Sequence, residues 1–177
     1  MNRAAACAIV VAGVAVAGCS GGSHQANSTS TSPSMSGPTT TATQPDAKTL
    51  ERAARAALDA NHKLSVFVLW HNRVPAWASR STDGPALTSL RSAAATRRSR
   101  GVRARLLSDR RRVVSLKLDP SYTKATAVVV DHQRVQPSGR NGRPLGRDVA
   151  LNERATYELR RIGSSAHFVV WRVVLQR

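Results

Sequence analysis

The feature that most limits what this chain can fold into is the segment 20–45, where serine, threonine, glycine and proline fill 19 of 26 positions. It holds no carboxylate, and His24 is its sole titratable base. Such a stretch cannot bury enough apolar surface to offset the entropy of ordering it. It reads as a tether with an r.m.s. span of roughly 28 Å, from about 5.5 Å times the square root of its length. Only residues 46–177 remain to build a core, a usual length for one domain. They contain no internal repeat.

Ahead of the tether, Met1-Asn2-Arg3 carries a positive charge, and residues 4–17 follow without a charged or strongly polar side chain. That is the charge order and length of a secretory signal peptide. A bilayer-spanning helix needs about 20 predominantly apolar residues, so permanent spanning is not expected. At the end of the run, Val16-Ala17-Gly18-Cys19 resembles the lipobox of bacterial lipoproteins. The resemblance implies that residues 1–18 are removed and that Cys19 takes a diacylglyceryl group and begins the mature chain. It also implies a lipid anchor at the extracytoplasmic face of the cell membrane. One acyl chain holds only marginally, at about 0.8 kcal/mol per buried methylene, whereas two or more anchor stably. The alternative is an ordinary cleaved signal with an incidental cysteine. Cys7 would leave with the signal, and residues 46–177 contain no cysteine. An intrachain disulfide, a thiol nucleophile or a cysteine-ligated metal is thereby excluded from that segment.

Within 46–177, Asp46 can cap a helix whose apolar positions Leu50, Ala53, Ala54, Ala57 and Leu58 recur at three- and four-residue spacing. "LSVFVLW" fits a buried helix or a strand by periodicity. The lack of a turn signal before it favours a helix continuing to about Asn72, with a break at Pro75. Asp83 caps the next helix, with Pro85 in its first turn, Leu87, Leu90 and Ala94 on one face, and Gly101 as its stop. Strand patterns follow. "VVSLKLD" places Val114, Leu116 and Leu118 on one face, and Asp119-Pro120-Ser121 turns the chain. "ATAVVVDHQRV" is rich in β-branched residues. "VALNERATYELRR" alternates Leu151, Glu153, Ala155, Tyr157 and Leu159 against Asn152, Arg154, Thr156, Glu158 and Arg160. "HFVVWRVVL" closes the chain with a strand apolar on both faces. Three helical segments followed by four strands predict an α+β fold, with amino-terminal helices packed on one side of a four-stranded antiparallel sheet.

That order, with the ending "ERATYELRRIGSSAHFVVWRVVL", resembles nuclear-transport-factor-2-like domains, including the SnoaL-like group. The resemblance implies a curved sheet wrapping a long helix into a cone, and some such domains are isomerases or cyclases with an acid or base in the cone. Glu153 is the candidate here, because alternation puts it on the apolar face beside Tyr157. A carboxylate in a half-dry cavity has its pKa raised and can act as a general base. Asp131 and His132 are its candidate partners, but they are adjacent, so only one can share the face. Trp70 and Trp171 could line such a cavity. The alternatives are that Glu153 sits at a strand edge paired with an arginine, and that the tryptophans pack helix on sheet.

His62 and His71, nine residues apart, fall on opposite sides of a helix, so no two-histidine metal clamp is expected. The sequence shows no phosphate-binding glycine loop, no G-x-S-x-G elbow and no zinc spacing, and no cofactor is predicted. Charge is the dominant compositional signal: 27 lysines and arginines against 10 carboxylates give a net +17. Arg3 is the sole charge in 1–18, so the processed chain would carry one less, +16. Arg97, Arg98, Arg100, Arg103 and Arg105 cluster around a helix end. Arg110, Arg111 and Arg112 are expected at a turn, and Arg140, Arg143 and Arg147 fall on a long loop. On a tethered extracytoplasmic domain such a field suits anionic lipid or a polyanionic wall polymer, or a protein partner. Export and the lack of an aromatic-basic stacking motif argue against nucleic acid. A solvated surface set by composition is the bland alternative. The sequence thus suggests a non-enzymatic, membrane-anchored accessory or binding module; the competing expectation is a small cone-cavity enzyme or ligand carrier using Glu153.

Overall fold

A computed structural model describes residues 45–176. The lipobox-like stretch with Cys19 and nearly all of the tether lie outside the described residues. Helix α1, Ala47–His71, starts where the Asp46 carboxylate accepts the Thr49 N–H at 2.8 Å. This satisfies one of the donors that a helix start leaves open. Its stripe of Leu50, Ala54, Ala57, Leu58, Leu64 and Val68 is buried. "LSVFVLW" continues the helix as expected, so the first two helical segments are one. The helix stops at Asn72, a left-handed residue (φ 50°) whose N–H returns to the Val68 carbonyl at 3.0 Å. Pro75 then leads into a 3-10 turn, Ala76–Arg80. Helix α2, Gly84–Ser99, is capped by Asp83 and buries Ala86, Leu87 and Ala94, with Leu90 packed beside them. It ends before Gly101 (φ 66°).

Four strands follow: β1 Val102–Leu118, β2 Lys124–Gly139, β3 Val149–Arg161 and β4 Phe168–Gln176. They form an antiparallel sheet in the order β1-β2-β3-β4, so the fold is α+β as the sequence implies. Two expectations need correction. Arg110, Arg111 and Arg112 lie in the middle of β1, not at a turn; no glycine, proline or asparagine occurs in 102–118 to break the strand. Val114 is 43 % exposed, whereas Val113, Leu116 and Leu118 pack on the core. The cause is a bulge between Val113 and Ser115, which adds a residue and shifts the side-chain alternation.

Both helices touch both edge strands, β1 and β4, so the sheet curls around them. One core cluster joins α1 to the inner face through Leu50, Leu58, Val129, Leu159, Phe168 and Val170. A second, with Leu64, Val68, Ala78, Leu87 and Ala94, joins the two helices and the 3-10 turn. Each such large side chain contributes about 1.5–3 kcal/mol when fully buried. The outer edge of β4 is covered locally: Thr82 bridges Val170 in parallel, with Asp83 N–H donating to Val170 O and Val170 N–H to Ser81 O, both at 2.9 Å. Asn61 of α1 donates to the Thr82 hydroxyl at 2.7 Å inside the protein, tying that connection to the first helix.

Candidate functional site

Register aligns Arg111 of β1 with Asp131 of β2, and Asp131 with Glu153 of β3. Directly paired residues share a sheet face, so these three charges form a row on the inner face beneath α1. Tyr157 is on the same face, and the Arg111 guanidinium lies 5.4 Å from its ring centroid. Asp109, one alternation before Arg111, meets His62 of α1 at 2.5 Å. Arg111 Nη1 donates to the Leu58 carbonyl of α1 at 2.8 Å, pinning the helix to the sheet. Arg111 Nε is 3.5 Å from Asp131 Oδ1, close enough to attract but without hydrogen-bond alignment. Both atoms, with Arg111 Nη2 and Asp109 Oδ1, lack a hydrogen-bond partner within the described residues.

Burial holds the Asp131 carboxyl above its ordinary range, with Arg111 and His62 opposing and Asp109 adding to the rise. Glu153 is raised by burial and then by the Asp131 charge, and burial also lifts Tyr157. A carboxyl whose proton affinity is raised among polar neighbours is the raw material of acid-base chemistry. The row nevertheless lies under α1, and its buried neighbours are Tyr157 and Ala155. It reads first as a polar joint between helix and sheet.

Of the five cavity candidates, Glu153 and Tyr157 do share the inner face. His132 does not: it is exposed on the outer face, 2.8 Å from Asn152 Oδ1. The adjacent Asp131 takes the inner position, so the one-of-two rule resolves in its favour. Trp171 packs at the start of α2, where a Cβ on Gly84 would fall 2.7 Å from the indole, and Arg160 stacks over its ring at 3.8 Å. Trp70 is half-buried on α1. The tryptophans are thus accounted for without a shared cavity wall. Among the described residues no cluster of His, Cys, Asp and Glu is arranged to hold a metal, and no helix is long and apolar enough to cross a membrane.

The six arginines proposed for polyanion contact divide three ways. Arg111 lies within the polar joint, half-buried. Arg97 turns inward, donating to Asn72 Oδ1 at 3.2 Å and Val68 O at 3.4 Å, and burial lowers its pKa from the usual guanidinium value. Arg98 and Arg100 are exposed at the end of α2, and Arg110 and Arg112 are exposed on the outer sheet face. There, register places Arg110 beside His132, Arg112 and Arg154 on either side of Val130, and Lys117, Thr126, Glu158 and Arg172 in one row. At the far end of the molecule a cavity of about 340 Å³ is lined by His71, Asn72, Arg98, Gly101, Arg103 and Arg140.

No protein-family model matches the chain, and no curated protein matches it. Among solved structures it is similar to the intermembrane space region of chloroplast protein ARC6, with a TM-score of 0.57 and 15 % identity over 71 % of this chain and 95 % of that one. At that identity the likeness concerns the fold alone.

The inner row was partly legible, since strand parity in "NERATYEL" puts Glu153 with Tyr157. Arg111 and Asp109 lie outside the strand expected from "VVSLKLD"; the run from Val102 to Leu118, unbroken by glycine, proline or asparagine, is the signal that places them in β1.

Proposed function

We propose that this protein is a lipid-anchored, extracytoplasmic accessory or binding module that contacts polyanionic surfaces of the cell envelope. The anchor is Cys19, and its support is the lipobox-like Val16-Ala17-Gly18-Cys19 at the junction of an apolar run and a tether. The resemblance to nuclear-transport-factor-2-like domains is compatible with this role, because such domains serve as binding modules as well as enzymes. The observation that carries the polyanion contact is the outer face of the sheet. Arg110, Arg112, Arg134, Arg154 and Arg172 stand exposed there, and among the described residues only Arg134 and Arg172 of these five have carboxylate partners, Asp148 and Glu158.

The Ser/Thr/Gly/Pro-rich segment expected from its composition to act as a tether would let that face reach the surface into which the acyl chains insert. Each basic residue near an anionic membrane contributes about 1 kcal/mol and is screened by salt. Sedimentation with phosphatidylglycerol vesicles tests the contact, using the chain with Cys19→Ser so that no lipid insertion contributes. Retention at low salt should be lost at high salt, and should weaken in an Arg110→Gln, Arg112→Gln, Arg154→Gln variant. Retention that ignores both salt and the three substitutions would refute a charge-driven contact.

A further inference from the structure

A cavity lies at the carboxyl-terminal ends of the two helices, whose last turns carry the basic residues His71 and Arg98. Three guanidinium-bearing residues line it, Arg98 from the end of α2, Arg103 from β1 and Arg140 from the β2–β3 connection, together with the His71 imidazole. None of the three arginines forms an ion pair or side-chain hydrogen bond among the described residues, although other arginines, such as Arg55, Arg134 and Arg172, do. No carboxylate lines the wall. Two left-handed backbone positions shape it, Asn72 (φ 50°) and Gly101 (φ 66°). The Asn72 side chain is committed to the frame, donating to Val102 O at 2.6 Å and accepting from Arg97. Arg97 also meets the Val68 carbonyl at the end of α1, which leaves Arg98, Arg103 and Arg140 as the uncommitted charges. Gly101 has no side chain where a Cβ would come within 3.0 Å of Arg140 Nε. Its bareness lets the arginine lie across the helix end and into the wall.

Guanidinium groups on one wall repel one another, and an occupant with anionic acceptor oxygens relieves that repulsion. Guanidinium forks match phosphate oxygens bidentately. A cavity of about 340 Å³ is larger than a bare phosphate needs and falls within the range of small-molecule sites. We infer that this cavity is a binding site for a small organic phosphate ester, held by Arg98, Arg103 and Arg140 with His71 as an additional polar contact. The same chemistry occurs as a free glycerol phosphate and as the headgroup of an anionic lipid. The inference deepens the polyanion reading given above and places a defined site beside a diffuse face.

The test uses the full chain with Cys19→Ser and two triple variants of equal charge loss. One is Arg98→Gln, Arg103→Gln, Arg140→Gln; the other, at exposed positions on the helices and the 3-10 turn, is Arg52→Gln, Arg80→Gln, Arg91→Gln. Glycerol 3-phosphate is titrated calorimetrically at fixed ionic strength, and phosphatidylglycerol vesicles are sedimented in parallel. The expected result is saturable binding that falls at least about ten-fold in the cavity triple and less than about two-fold in the control, as the loss of charge-assisted hydrogen bonds requires. Cavity dependence with the free ester identifies a soluble ligand; dependence with vesicles alone identifies a headgroup in a bilayer. Equal losses in both triples, or no cavity dependence with either probe, would overturn the site. Salt-sensitive vesicle retention in that last case would leave the surface contact standing.

Discussion

Glu153 shows how one side chain couples the fold to pH. Burial, then the Asp131 charge, holds its carboxyl above the ordinary range. The folded state therefore binds the proton more tightly than the unfolded chain, whose carboxylate titrates near about 4.3. Between that value and the raised one, stability falls as pH rises. Asp131 acts in the same direction. Asp46 and Asp119 act oppositely: hydrogen bonds from Thr49 and from Ser121 and Lys124 lower them, so what they contribute is lost only as pH falls through their depressed values. Glu153→Gln, neutral at every pH, should therefore raise the melting temperature at neutral pH and flatten the decline from mildly acidic to neutral conditions. A pH series of thermal denaturation curves checks this. An unchanged slope would mean that burial of Glu153 does not set its proton affinity in the folded state.

At the level of elements, the docking of α2 on β4 depends on contact without a side chain. Gly84 opens α2 with φ 54°, and an added Cβ would meet the Trp171 ring at 2.7 Å. Gly84→Ala combines a left-handed strain of about 1–2 kcal/mol with displacement of the indole. Gly142→Ala carries the strain alone, since nothing lies within 4 Å of its added Cβ. Urea denaturation should show the Gly84 variant as the less stable by at least about 1 kcal/mol, an overpacking cost; equal losses would remove the indole contact as a determinant. The helices were legible because their signals are local: Asp46, Asp83, the apolar spacing of α1 and Gly101 each act within a turn or two. The β3 alternation was legible for the same reason. What the sequence left hidden was set at a distance. The bulge that turns Val114 outward is a matter of pairing between β1 and β2. The course of β1 through three consecutive arginines depends on Asp131 across the strand and Leu58 O on the helix. The convergence of Arg98, Arg103 and Arg140 needs three elements that meet only in the folded chain.

Over the whole molecule, charge has been sorted rather than spread. Of six arginines that look equivalent in sequence, Arg111 and Arg97 turn inward to hold α1, Arg98 joins the cavity wall and Arg100 is exposed at the end of α2. Arg110 and Arg112 stand on the outer face of the sheet. Such a basic surface favours polyanions in general; on the function proposed above, the tether and the anchor at Cys19 would determine which polyanions it meets. The reading of the molecule as an envelope protein therefore rests on Cys19. Growing a bacterial host with an alkyne analogue of palmitate and comparing the wild-type chain with Cys19→Ala measures that directly. Label in the wild type that is absent from Cys19→Ala is the predicted result; equal label in both, or none in either, would contradict it.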